Sequence, residues 1–161
     1  MKKDTKPGGA VKIGVISDTH GLLRPEALAL MQGCDHIVHV GDIGNPEILE
    51  ALRAIAPLTV VRGNNDRQDW ARDVPESARL TLGGVEIFAV HDIADDKGRS
   101  DGASVVITGH SHKPGMAERD GKLFLNPGSA GPRRFKLPIS VAELLINDGT
   151  VSARILEITP G

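Results

Sequence analysis

The sequence predicts an α/β fold with a parallel N-terminal half and a largely antiparallel C-terminal half. Three observations lead there. Between residues 11 and 66, an apolar run ending in a polar acid or amide recurs three times, with helical segments between the runs. Such β-α-β units give a parallel sheet with right-handed crossovers. From residue 79 onward, apolar runs pair around Gly83-Gly84, Asp120-Gly121 and Asn147-Asp148-Gly149, which are hairpin signals. Aromatic residues make up only 2% of the chain and tyrosine is absent, so the core must be built from Val, Ile, Leu and Ala.

Residues 11–16 are β-branched and mostly apolar and read as a central strand. Residues 24–32 read as a helix, with Pro25 in its first turn, Leu28 and Met31 on one face and Gly33 closing it. A second strand spans 36–40, a helix starting at Pro46 spans 46–54, and a third strand spans 58–61. The hairpin runs are 79–82 with 85–90, 115–119 with 122–125, and 139–146 with 151–158. A short strand at 104–108 stands between the first two hairpins, after a polar, turn-like stretch.

The 161 residues suit one domain, expected over 11–161 behind a polar, flexible segment at 1–10. Lys2 and Lys3 mimic the start of a signal peptide, but no apolar core of roughly 7–15 residues follows, so secretion by that route is not expected. No apolar run approaches the roughly 20 residues needed to span a bilayer. A net charge of −2 with scattered Lys and Arg argues against a stable nucleic-acid complex. The single cysteine, Cys34, excludes an intramolecular disulfide and suits a reducing cytosol. The expected location is therefore cytoplasmic.

Five strand ends carry metal-ligand residue types: Asp18 with His20, Asp42, Asn64, His91, and His110 with His112. Loops at one edge of a sheet converge, and α/β folds place their ligands at the carboxyl ends of strands. In isolation, Asp18 and Asp42 equally suit turns or helix caps, and Asn64 and Asn65 an ordinary turn. Their ordered placement is what favours a shared site. Mixed nitrogen and oxygen donors suit manganese, iron, nickel or zinc better than calcium or magnesium. Seven candidates are too many for one tetrahedral ion and fit two ions sharing a carboxylate, the recurring arrangement for phosphate-ester hydrolysis.

Asp18-x-His20, Gly41-Asp42, Gly63-Asn64-x-Asp66, His91 and Gly109-His110-Ser111-His112, in that order, resemble the calcineurin-like metallophosphoesterases. The chain length and Asn126-Pro127-Gly128-Ser129 resemble the small phosphodiesterases of the YfcE type. The resemblance implies a four-layer α/β/β/α sandwich with a dinuclear metal site. It implies one ion on Asp18, His20, Asp42 and His112, and another on Asp42, Asn64, His91 and His110, with Asp42 bridging. A hydroxide between the ions is the implied nucleophile. Asn64, Asp66 and His91 are the residues expected to serve catalysis directly or from behind the ligands. Manganese is the first choice of metal, with nickel, iron or zinc as alternatives.

The chain departs from that family in three places. Larger relatives carry a histidine after the Asn64 position that helps protonate the leaving oxygen, whereas Asn65 cannot act as such an acid. Slow turnover on poor leaving groups is expected. Asp92 stands where the family usually has glycine, and its side chain can narrow the cleft or bond to an imidazole. Residues 92–103 are too few for the helix relatives place before the histidine pair, which leaves one cleft wall more open.

Several residues read as supporting ones. Asp66 is expected to orient a histidine or the Asn64 loop. His39 is read as packed or supporting, His36 as an ordinary strand-start residue, and Cys34 as a small buried side chain. Arg133 and Arg134 are read equally as phosphate contacts or as solvated charges. The expected function is metal-dependent phosphodiester hydrolysis of a phosphate-ester substrate. The rivals are a phosphomonoesterase and a protein-interaction scaffold of the same fold, and a homodimer is the default assembly.

Overall fold

The three β-branched runs become parallel neighbours. In the computed structural model, which describes residues 10–133 and 136–159, they are β1 (Ala10–Ile16), β2 (His36–His39) and β3 (Leu58–Val60). Val15 pairs with Val38 across the first junction and Val38 with Thr59 across the second. The expected flexible segment lies almost wholly outside the described residues.

The crossovers are α1 (Pro25–Met31) and α2 (Pro46–Arg53), each with proline in its first turn, where a missing N–H costs nothing. Asn45 caps α2 by accepting from the Ile48 N–H at 3.2 Å. Helical spacing puts Ile48, Leu49 and Leu52 on the buried face.

The later hairpins form where their turns indicated. β4 (Ser77–Leu82) pairs with β5 (Val85–Val90), β7 (Gly115–Arg119) with β8 (Lys122–Asn126), and β9 (Ile139–Asn147) with β10 (Thr150–Ile158), all antiparallel. β6 (Val105–Ile107) lies parallel between β5 and β8. Two five-stranded sheets result, ordered β10-β9-β1-β2-β3 and β4-β5-β6-β8-β7.

The last hairpin thus crosses over to the first sheet, with β9 antiparallel to β1. Burial explains the move. Residues 139–142 are buried on both faces, so β9 requires a central position between two strands. Ile139 and Val141 meet the helices, while Ala142, Leu144 and Ile146 point between the sheets.

The same alternation runs through β1, where Val11, Ile13 and Val15 face the second sheet and Ile16 faces the helices. On that side a Cβ at Gly14 would lie 2.6 Å from Met31 Sδ, so glycine lets α1 rest on the strand. Ile87, Ala89, Val105 and Ile107 complete the core from the second sheet. Fully burying one such aliphatic side chain contributes about 1.5–3 kcal/mol.

The other face of the second sheet holds only a small cluster of Phe88, Val90, Ala103 and Val106, with Phe124 against it. Residues 92–104 cover that face with a single 3-10 turn at Ile93–Asp95 in place of the outer helix. The fourth layer is therefore thin. No helix among the described residues is long and apolar enough to cross a membrane.

Candidate metal centre

The loops after β1, β2, β3, β5 and β6 meet, stitched by main-chain hydrogen bonds. Asp18 N–H donates to Gly41 O at 2.9 Å, His20 N–H to Asp42 O at 2.8 Å, and Gly109 N–H to His91 O at 2.8 Å. Among the described residues, eight non-glycine residues have positive φ. Five of those eight are Asp18, His20, Asp42, His110 and His112. Left-handed backbone is unfavourable for side chains with a Cβ and persists where the surroundings over-determine it, often at functional sites.

Two glycines leave the room that this convergence needs. A Cβ at Gly63 would lie 2.2 Å from Asp42 Oδ1, and one at Gly109 would lie 2.2 Å from Ser17 Oγ and 2.9 Å from Asp18 Oδ2.

Two buried carboxylates form the centre. Asp18 Oδ1 lies 3.3 Å from His112 Nε2, 3.7 Å from His20 Nε2 and 4.0 Å from His91 Nε2. Asp42 Oδ2 lies 3.3 Å from His91 Nε2 and 3.6 Å from His20 Nε2. The Nε2 atoms of His20 and His112 face each other at 3.4 Å. Asp18, His20 and His112 form one group able to hold an ion, and Asp18, Asp42 and His91 form a second, with ligand atoms within 4.8 Å of one another in each.

The donors are tuned by their surroundings. Burial works to raise the pKa of Asp18, but the facing imidazoles of His112 and His20 and the Ser17 hydroxyl hold its carboxylate well below the usual range. Asp42 is likewise held down by His91 and by the Asn65 N–H against the effect of burial. Burial would lower His91, yet the Asp42 carboxylate facing its Nε2 and the charge of Asp18 raise it above the ordinary imidazole value.

A carbonyl can only accept, so the 2.7 Å contact between His91 Nδ1 and Val40 O places the proton on Nδ1. That turns Nε2 toward the centre, the arrangement by which outer partners orient metal-binding histidines. His91 Nε2, Asp18 Oδ1 and His112 Nδ1 are buried without a hydrogen-bond partner. Unsatisfied buried donors and acceptors are costly, and a cation between His91 Nε2 and Asp18 Oδ1 would remove two of these three deficits. The mixed imidazole and carboxylate set fits a borderline divalent ion.

The remaining candidates lie at the rim. Asn64 is exposed and lines a cleft of about 370 Å³ together with Arg62, His91, Asp92, Lys97 and Arg99. The His110 ring stands edge-on to His91 at 5.2 Å between centroids, and its Nε2 faces Asp92 Oδ2 at 3.6 Å. The main-chain N–H of His110, rather than its ring, bonds to Asp18 Oδ2, at 3.1 Å.

Asp66 is buried and devotes its carboxylate to main-chain groups. It accepts from Ile43 N–H at 2.9 and 3.1 Å, Gly44 N–H at 3.3 Å and Gly63 N–H at 2.9 Å. It therefore staples the Asp42 loop to the Asn64 loop. His39 is fully buried beneath the same loops. Its Nδ1 accepts from Gly41 N–H at 3.1 Å, so its Nε2 donates to Thr19 Oγ1 at 3.0 Å, and that hydroxyl donates to Ile43 O at 2.7 Å.

Elsewhere, His36 bonds to Thr59 Oγ1 at 2.8 Å and Cys34 is buried. Arg133 is exposed, and Arg134 lies outside the described residues.

Besides the Asn65 bonds to Asp42, three supporting roles are not legible in the sequence. Ser17 Oγ donates to Asp18 Oδ2 at 2.6 Å, Ser129 Oγ to Asp18 O at 3.0 Å, and Asn126 Nδ2 to Gly109 O at 3.0 Å. The only signals were a hydroxyl beside Asp18 and the turn residues of Asn126-Pro127-Gly128-Ser129.

Comparison with known proteins gives a consistent picture. A family model described as the calcineurin-like phosphoesterase superfamily domain matches residues 11–149. A probable metallophosphoesterase of Methanothermobacter thermautotrophicus is 34% identical over 158 residues, covering 89% of this chain and 91% of its own. Among solved structures, an archaeal phosphodiesterase matches with a TM-score of 0.76 at 21% identity, over 92% of this chain and 100% of its own. Wild-type Vps29 from Entamoeba histolytica, solved with zinc, matches with a TM-score of 0.69 at 25% identity, over 91% of this chain and 99% of its own.

Proposed function

This chain belongs to the calcineurin-like phosphoesterase superfamily, and from that premise we propose that it is a metal-dependent phosphodiesterase working with two divalent ions. The observation carrying the reading is the pair of buried carboxylates, Asp18 and Asp42, each 3.3 Å from an imidazole Nε2, with neither Asp18 Oδ1 nor His91 Nε2 making a hydrogen bond.

One ion is assigned to Asp18, His20, Asp42 and His112, and the other to Asp42, Asn64, His91 and His110. Asp42 is proposed as the shared ligand, beside Asp18, which both donor groups of the structure contain. Its Oδ2 sits 3.6 Å from His20 Nε2 and 3.3 Å from His91 Nε2, which supports a place between the two sets. When bound, the ions supply Lewis acidity toward a phosphoryl oxygen and acidify water near neutral pH. Manganese is the first choice, since imidazole and carboxylate together suit it, and the same donors also admit iron, nickel or zinc.

The chain's own contribution is placement. Val40 O fixes the His91 ring, Asp66 ties two ligand loops together, and Asn65 holds Asp42 by both oxygens. The cleft beside His91 and Asn64 gives room for the second substituent of a diester.

The test is to load the protein with Mn²⁺, confirm occupancy by elemental analysis, and compare an activated aryl phosphodiester with the matching monoester. Faster diester turnover is expected. A faster monoester rate turns the reading to a phosphomonoesterase. No turnover at full occupancy with any divalent ion removes the enzyme reading and leaves a scaffold of this fold.

A further inference from the structure

Asp92 sits between two structures that the dinuclear reading needs. One oxygen, Oδ1, accepts from Ala94 N–H at 3.1 Å and caps the 3-10 turn Ile93–Asp95. The other, Oδ2, faces His110 Nε2 at 3.6 Å. The two side chains are partly exposed, 33% for Asp92 and 45% for His110, so neither is pinned by close packing. His110 also stands on left-handed backbone at φ 71°, and its ring lies edge-on to His91. An imidazole on such a rim has free ring rotation unless something outside the ion holds it.

We propose that Asp92 is a positioning residue that holds His110 by Nε2 and so presents Nδ1 as the nitrogen for the second ion. The inference rests on the dinuclear reading above. Its physical basis is the tautomer. A carboxylate that closes from 3.6 Å to hydrogen-bonding distance accepts a hydrogen bond from Nε2–H, which leaves the lone pair on Nδ1 and makes the ring more basic toward a cation. The same carboxylate fixes the start of residues 93–99, whose Asp95, Lys97 and Arg99 line the cleft. Asp92 therefore links the cleft wall to the rim ligand. His91 solves the same orientation problem differently, with Val40 O taking its Nδ1 proton.

Titration calorimetry of the metal-free full chain with Mn²⁺ tests this without relying on activity. The wild type is expected to show two binding steps. Asp92→Asn keeps an oxygen to cap Ala94 but removes the charge. It is expected to weaken one step by about 10–100-fold, the usual effect of losing an outer carboxylate partner, and to leave the other within about twofold. His110→Ala is expected to weaken the same step. The double variant should be no weaker than His110→Ala alone, because Asp92 then has no ring left to orient. If Asp92→Asn lowers the melting temperature, that coupling still decides.

Two steps in the wild type with Asp92→Asn unchanged, or with both steps weakened alike, overturn this inference and spare the dinuclear reading. A single step in the wild type overturns both. Additive losses in the double variant overturn the orientation role alone.

Discussion

Asn65 grips Asp42 by both carboxylate oxygens, its main-chain N–H donating to Oδ1 at 2.9 Å and its side-chain amide to Oδ2 at 3.1 Å. The amide is a donor to a ligand and not a proton source for a leaving group. Asn65→Ala deletes one of the two bonds and is expected to cost about 1 kcal/mol in chemical denaturation. Asn65→His introduces a group able to give up a proton. Turnover of a diester with an alkyl leaving group should rise by at least ~10-fold, while an activated aryl diester changes little. Steady-state rates on the two substrates check this. Equal effects on both would show that leaving-group protonation does not limit the reaction.

His39 predicts an acid-sensitive fold. Burial, the largest influence, pushes its pKa down to about 4 from the ordinary imidazole value of 6.5. The unfolded chain then binds a proton that the folded chain refuses, so stability falls as pH drops from about 6.5 to 4. The full effect is on the order of 3 kcal/mol, at 1.36 kcal/mol for each pKa unit. His91 acts in the opposite sense. Its raised pKa stabilises the metal-free fold below about pH 6.5, and that contribution is lost as pH rises through the folded value. Urea unfolding of metal-free wild type and His39→Gln at pH 4.5, 5.5 and 7 separates the two. The difference between the curves should shrink as the pH falls. A constant difference would contradict the neutral, buried imidazole.

Metal retention should divide by residue. Asp42→Asn is expected to lower affinity for both ions and abolish turnover, since Asp42 Oδ2 neighbours His20 and His91. His112→Ala should mainly weaken one ion, because His112 groups with Asp18 and His20 only. Elemental analysis after dialysis distinguishes the patterns. In the wild type, retention should fall below about pH 6, where imidazoles gain protons and cease to bind. Asp18 and Asp42, held below the usual carboxylate range, stay ionised there. Unchanged retention at pH 5 would mean that the histidines are not ligands.

Gly63→Ala should disable the site at modest cost to the fold. The added Cβ would fall 2.2 Å from Asp42 Oδ1 and 2.3 Å from Asp42 N, so the ligand loop must move. Overpacking of this kind costs about 1–3 kcal/mol. A melting shift in that range, together with loss of Mn²⁺ binding, is the expected pair. Normal binding by a stable variant would show that the loop yields without disturbing Asp42.

The strands, their hairpins and the ligand-bearing residue types were legible because each is encoded locally. Alternation along residues 11–16 marks an inward face, and Gly83-Gly84 fixes its own hairpin. The crossing of β9 to the first sheet was not legible, because that choice depends on covering both faces of residues 139–142. The use of Asn65 was hidden for a similar reason. Nothing adjacent to it in sequence shows that Asp42 lies within reach.

The sequence by itself determined the succession of strands and helices and the kinds of donor atom at their ends. Backbone periodicity and turn chemistry act over a few residues, and composition specifies them directly. Tertiary structure alone decided which nitrogen meets which oxygen. His112 Nε2 comes to 3.3 Å from Asp18 Oδ1, and His110 Nε2 to 3.6 Å from Asp92 Oδ2, only once two sheets pack and their loops are stitched across long stretches of chain. A side-chain rotamer at such a junction answers to neighbours remote in sequence, which no local pattern records.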